Sequence, residues 1–195
     1  MRKLILIIII GALLTVASSN AEGALWDGGY HEFSEGFEGE IEMINGATAD
    51  VTGGEIGILL SYDNCGLNIY DDSTIGLVKP FDTSSVYVYG GEFNVIFTLG
   101  LSNTNIYGGL INEIKATDLS TLNLYVKSYE YDPTGGDFYV GLLTGTWLNN
   151  NNNFSIDLVT AQSIDHITFV PEPCTFYFVT IGGLFLYRSK RNIKR

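Results

Sequence analysis

The feature that most narrows the possible folds is a repeat of 18–19 residues through the middle of the chain. Its units close on a four-residue phrase: Ala49-Asp-Val-Thr52, Leu67-Asn-Ile-Tyr70, Val86-Tyr-Val-Tyr89, Thr104-Asn-Ile-Tyr107 and Leu122-Asn-Leu-Tyr125. The steps are 18, 19, 18 and 18 residues. Behind the phrases come Gly53-Gly54, Asp71-Asp72, Gly90-Gly91, Gly108-Gly109 and Val126-Lys127. This period is too short for a helical repeat and fits one turn of a stacked β-coil. A weaker unit precedes the five, starting near Glu35-Gly36.

Each phrase alternates apolar and polar, the period of a strand. The alternation points Ala49, Leu67, Val86, Thr104 and Leu122 inward, together with Val51, Ile69, Val88, Ile106 and Leu124. It points Asp50, Asn68, Tyr87, Asn105 and Asn123 outward, with Thr52, Tyr70, Tyr89, Tyr107 and Tyr125 beside them. Glycine pairs permit a sharp corner after the strand. A second apolar strand follows each corner, at Ile56–Leu60, Ile75–Val78, Phe93–Thr98 and Ile111–Ile114. The expected fold is all-β: a short parallel β-solenoid over residues 22–143. An antiparallel sandwich of the same strands is the alternative; columns of like residues at near-constant spacing favour the solenoid. Six-residue periodicity is absent within the coil, which favours a right-handed β-helix over a left-handed hexapeptide one.

The flanks read differently. Asp27-Gly28-Gly29 marks a turn in an opening strand. After Val126 the regular pattern stops. Asp132–Asp137 reads as a loop, Phe138–Leu143 and Thr144–Leu148 as strand, Asn149–Asn153 as a turn and Phe154–Leu158 as the return strand. His166–Val170 reads as a last strand. Residues 144–170 are thus expected to form a C-terminal β-hairpin and strand that cap the solenoid, whose open edge would otherwise invite aggregation.

The two ends carry targeting signals. Residues 1–21 have a charged start (Arg2, Lys3), an apolar stretch and a small-residue cleavage site ending at Ala21, the pattern of a secretory signal peptide. The other end reads Val170-Pro171-Glu172-Pro173, an apolar run over 174–187, then five basic residues in the last eight: Arg188, Lys190, Arg191, Lys194 and Arg195. The run falls short of the ~20 residues that span a bilayer comfortably. The basic cluster is a strong positive-inside stop.

This tripartite tail, residues 171–195, resembles the PEP-CTERM sorting signal of exosortase-bearing bacteria. The resemblance implies export, transient anchoring in the inner membrane through 174–187, and processing near Pro171–Pro173 by an exosortase-type enzyme. Delivery to the cell surface or extracellular matrix would follow, with exopolysaccharide as a possible associate. The opening Trp26-Asp27-Gly28-Gly29-x-His31 and the hairpin around Gly145–Leu158 are also similar to segments of proteins bearing this tail. Some such proteins carry an ice-binding label. Ice-binding faces are flat Thr-x-Thr ladders, whereas the outward ladder here is Asn-x-Tyr.

Charge is segregated along the chain. Residues 22–170 hold 21 carboxylates against Lys79, Lys115 and Lys127, with no arginine, a net of −18. Nucleic acid is excluded as a partner, because phosphate binding needs basic patches. Of the two cysteines, Cys65 alone lies in the domain, and a lone cysteine makes neither an internal disulfide nor a zinc site. Cys65 is expected to be a small buried apolar residue.

Four kinds of chemistry are open to the outward residues. The outward tyrosines Tyr70, Tyr89, Tyr107 and Tyr125 form a candidate glycan-binding ladder, since aromatic faces at a regular step can stack on sugar rings. They can equally stack on one another and tie the coils together. Glu55 and Glu92 occupy equivalent corners two coils apart, ~9.6 Å at the rung spacing, with Asp71 and Asp72 on the coil between. Inverting glycosidases hold two carboxyls about 6.5–9.5 Å apart. No extra loop is expected to build a cleft around these residues, so the chain is read as non-enzymatic. A polysaccharide lyase would need a basic proton acceptor, and three lysines are a thin supply. Asp63, Asp71, Asp72, Asp132 and Asp137 lie in or near turns, the oxygen chemistry that suits calcium, but neither EF-hand spacing nor a calcium nonapeptide occurs. No cofactor or dedicated metal site is expected, and no Ser-His-Asp set, phosphate loop or HExxH motif is present.

Overall fold

A computed structural model describes residues 23–137 and 140–171. Ala21, Glu172, Pro173, the apolar run 174–187 and the basic residues Arg188, Lys190, Arg191, Lys194 and Arg195 lie outside the described residues. In chain order the strands are β1 (Ala24–Asp27), β2 (Tyr30–Phe33), β3 (Phe37–Ile44), β4 (Thr48–Ser61), β5 (Gly66–Pro80), β6 (Ser85–Val88) and β7 (Glu92–Thr98). They continue as β8 (Asn103–Ile106), β9 (Leu110–Ala116), β10 (Thr121–Asp132), β11 (Leu142–Trp147), β12 (Asn153–Leu158) and β13 (Ile167–Val170). A short 3-10 helix (Ala161–His166) precedes β13.

The repeat is a parallel β-solenoid of about six turns. On its first face β2, the start of β4, the start of β5, β6, β8 and the start of β10 pair in parallel. Register follows the repeat: Ala49, Leu67, Val86, Thr104 and Leu122 form one rung column, and Val51, Ile69, Val88, Ile106 and Leu124 the next. Both columns are buried in the core. The 19-residue step is a local bulge. Val51 pairs Ile69, but Gly53 already pairs Asp72, so the extra residue sits at the corner after Tyr70. The Asp71 side chain then lies over Gly90, where any Cβ would collide with it.

The second apolar strand of each coil is present and is bent in the middle. Ile56 and Leu59 are buried, while Gly57 and Ile58 between them are not. Ile75 and Val78, Phe93 and Ile96, and Ile111 and Ile114 repeat the pattern. Two consecutive outward residues break the period of two and turn the chain. The coil therefore has three sides: a first face, a short second face around Ile56, and a third face from Ile58 to Ser61. At the bend the backbones approach closely. A Cβ on Gly76 would collide with the Gly57 carbonyl oxygen, and one on Gly57 with that of Gly39.

The third corner is a column of left-handed residues: Asn45 (φ 55), Asp63 (φ 54), Asp82 (φ 50), Gly100 (φ 65) and Asp118 (φ 62). Asn and Asp tolerate this conformation because their short side chains bond the backbone locally. Here they bond the neighbouring coil. The Asn45 amide donates to Asp63 Oδ2 (3.3 Å), the Asp63 amide to Asp82 Oδ2 (3.3 Å), and the Gly100 amide to Asp118 Oδ2 (3.2 Å). Two residues on, each chain re-enters the core through a small side chain: Ala47, Cys65, Ser84, Ser102 and Ser120, all buried. Cys65 thus sits where a small residue recurs, as its lone position suggested.

The C-terminal cap is a hairpin plus a strand. β10 continues past Val126 to Asp132 but changes partner, pairing antiparallel with β11. β11 pairs antiparallel with β12, and β12 rejoins the stack in parallel beside β9 through Asp157 and Leu158. The sheet therefore wraps over the end of the core. Trp147 is its plug: 1 % exposed, tilted against Phe154 at 4.4 Å, its indole N–H donating to the Gly109 carbonyl at 3.0 Å. β13 returns to the first face as one more parallel rung, with Leu122 opposite Ile167 and Tyr125 opposite Val170.

Candidate functional site

The outward tyrosines form a continuous ring stack. Ring centroids are 5.3 Å apart between Tyr70 and Tyr89, 5.2 Å between Tyr89 and Tyr107, and 4.0 Å between Tyr107 and Tyr125. Interplanar angles are 13–18°. The rings face along the stack, so each covers its neighbour's face. Tyr70 and Tyr89 remain 37 % and 38 % exposed, whereas Tyr107 and Tyr125 are half-buried. Burial raises the phenol pKa of Tyr89, and raises that of Tyr107 further, with the neighbouring Tyr125 hydroxyl adding to it.

The adjoining outward column is bonded in pairs on either side of Tyr87. Asn68 Nδ2 donates to Asp50 Oδ1 (2.8 Å), and Asn123 Nδ2 to Asn105 Oδ1 (3.0 Å). Asn105 is consequently buried although its side chain is on the outer side of the strand. On the first face the four stacked tyrosines, and the pairs Asp50–Asn68 and Asn105–Asn123, are thus occupied with one another.

The third face differs. Lys79 Nζ lies 4.8 Å from the Phe81 ring and 5.2 Å from the Phe97 ring, and Lys115 Nζ lies 4.4 Å from Phe97 on its other side. Such contacts hold the ammoniums flat on the sheet by attraction to the ring faces. Lys127, the third lysine of the domain, donates to Asn151 Oδ1 at 3.1 Å.

Of the corner carboxylates, Glu55 and Glu92 share a groove, Asp71 lines a neighbouring recess and Asp72 lines neither; a turn walls the recess, where no loop was expected. Glu55, Thr74 and Glu92 lie along the groove, with Asn94, Asn112 and Leu110. Glu92 and Leu110 also line the recess, of about 410 Å³, closed by Asp71 and by Asn150, Asn152 and Asn153. The wall is the asparagine turn between β11 and β12. A run of five amides was legible as a turn; that it folds back over the glycine corners follows from the hairpin's long-range pairing, which no local spacing encodes. The turn is braced: the Trp147 amide donates to the Asn152 carbonyl (2.9 Å), the Asn152 amide to Asn150 Oδ1 (2.9 Å), and Asn151 takes φ 59.

The aspartates considered for calcium are dispersed. Asp63 belongs to the third corner and Asp71 and Asp72 to the first. Asp132 binds the amide and hydroxyl of Thr134 (2.9 Å each), which hold its carboxyl below the usual range. Asp137 and Asp157 meet through a backbone amide in the cap. Among the described residues no group of three or more His, Cys, Asp or Glu is placed to hold a metal ion. His31 stacks on Trp26 at 5.2 Å and bonds the Gly28 carbonyl, and His166 bonds the Ser120 carbonyl (3.0 Å), so both imidazoles serve the ends of the solenoid. Of the sorting motif, Val170 is paired in β13 and Pro171 follows it, exposed. Among the described residues no helix is long and apolar enough to cross a membrane.

Compared with known protein families, curated proteins and solved structures, the chain finds no match.

Proposed function

We propose that the protein is an exported, non-catalytic structural component of the cell surface or extracellular matrix, sorted by its PEP-CTERM-like tail and associated with exopolysaccharide. The route runs through a signal peptide cut after Ala21, transient anchoring in the inner membrane, and an exosortase-type processing enzyme acting near Pro171–Pro173. One observation carries the reading: on the first face Tyr70 to Tyr125 stack ring on ring, and Asn68 and Asn123 are bonded to Asp50 and Asn105. Such a wall suits a durable element better than a reaction centre. The acidic domain keeps the rod soluble and apart from its copies.

Mass spectrometry of the mature protein from washed cells and culture matrix tests this. A product ending near Val170–Pro173 in those fractions is expected, and deletion of 171–195 should remove it from them. An intact tail in the inner membrane, or an unchanged distribution after deletion, overturns the reading.

A second reading has support in the partial exposure of Tyr70 and Tyr89: the tyrosine face recognises a glycan. Tyr89→Ala with Tyr107→Ala should then abolish glycan retention while the domain stays folded.

A further inference from the structure

We infer that the groove along the second face, and not the tyrosine wall, is a binding site for an extended glycan of neutral or amino sugars. This rests on the glycan-associated reading above and names the site and the class of sugar.

The groove crosses four coils, from Glu55 to Asn112, about 14 Å at the rung spacing. Its floor at Gly57 and Gly76 is bare backbone, because coil stacking there leaves no room for a side chain. At one end it opens into the recess of about 410 Å³ under the asparagine turn, within the size range of small-ligand sites. An elongated, open channel that widens at one end suits a chain polymer lying along it.

The lining selects the chemistry. Carboxylates (Glu55, Asp71, Glu92) accept hydrogen bonds from hydroxyls. Amides both donate and accept. Asn112 Nδ2 donates to Asn94 Oδ1 at 3.1 Å, which leaves the Asn94 amide donors and the Asn112 carbonyl oxygen at the groove surface. Leu110, 58 % exposed, offers an apolar patch to the C–H face of a pyranose. No lysine lines the groove or the recess: two lie on the third face, and Lys127 bonds Asn151 in the asparagine turn. A uronate or sulfated chain would meet the lining carboxylates with no cation among the lining residues. Hydroxyls are accommodated, and a protonated amino group is attracted.

The site is also set in advance. The asparagine turn is fixed by Trp147 and by Lys127, and the facing corners are packed closely at Gly91 and Gly109, where a Cβ would come within 3.0 Å of a neighbouring coil's carbonyl. Little ordering is then left to oppose binding.

The test is calorimetric titration of the full chain in mild detergent with chitosan hexamer, xylohexaose and polygalacturonate. Binding of chitosan hexamer or xylohexaose is expected, and none of polygalacturonate. Glu92→Gln and Asn152→Ala should each weaken the bound oligomer about tenfold, the loss of one charge-assisted or amide hydrogen bond. Glu32→Gln on the first face should leave affinity unchanged, with circular dichroism confirming that every variant, Tyr89→Ala included, is folded. Binding to neither oligomer overturns the inference, as does preference for polygalacturonate. Equal losses from Glu32→Gln and Glu92→Gln would reduce the effect to bulk charge and overturn it as well. Loss in Tyr89→Ala alone would move the site to the tyrosine wall. Each of these results leaves the surface destination intact, since fractionation and mass of the mature protein decide that separately.

Discussion

The rings of Tyr107 and Tyr125 lie 4.0 Å apart at 18°, the closest contact in the tyrosine stack. Tyr107 is also covered from the other side by Tyr89 at 5.2 Å. Each aromatic pair is worth about 0.5–1.5 kcal/mol beyond its buried area. Tyr107→Ala should therefore lower stability by about 1–3 kcal/mol in urea unfolding, and Tyr107→Phe by less, because it keeps the ring stacking and loses only the hydroxyl's contact with Tyr125.

The same burial sets an alkaline limit. The phenols of Tyr89 and Tyr107 are raised, so the folded state holds these protons more tightly than the unfolded chain. Their contribution is complete below the ordinary tyrosine value near 10. It is lost as pH rises through the raised folded values. Unfolding temperature should fall steeply above about pH 10, and tyrosinate absorbance should show a late-titrating group that vanishes in Tyr107→Phe.

Cys65 shares a rung column with Ser84, Ser102 and Ser120, and burial raises its thiol pKa. The site should accept serine at a cost of about 1 kcal/mol, the scale of one buried hydroxyl gaining or lacking a bond. Leucine there overfills a tight corner and should cost more, about 1–3 kcal/mol. The native thiol should resist alkylation and react fully once the chain is unfolded.

Trp147 closes the C-terminal end. Trp147→Ala removes a fully buried indole and its bond to the Gly109 carbonyl, which predicts a loss of about 3–5 kcal/mol. Chemical unfolding followed by circular dichroism measures it. Trp147→Phe should retain most of the packing and lose chiefly the hydrogen bond.

The solenoid was legible because its determinants are local and recur. Leu67, Val86 and Leu122 announce one buried column by spacing alone, and Tyr70, Tyr89 and Tyr107 announce the outer stack. The bend at Gly57 and Gly76 was also written in the sequence, as two outward residues between buried ones, but it is hidden when the segment is read as a single strand. The left-handed column at Asp63, Asp82 and Asp118 carried a signal too, since aspartate recurs there at the repeat step. The groove under Asn150 and Asn152 carried none that spacing could expose. Its wall depends on β12 finding β9 and on Trp147 reaching Gly109, pairings set by packing across the fold.

The last rung gives the molecule an order of assembly. Most rungs join residues one coil apart, but Leu124 meets Phe169 across the whole hairpin and the 3-10 helix, as Glu113 meets Asp157 across the hairpin. A contact that distant in the chain closes late, after loop entropy has been overcome. The first face is thus completed by the residues immediately before Pro171. An export-bound chain would finish folding only as its final segment emerged, and completion of the body and presentation of the tail would be a single event.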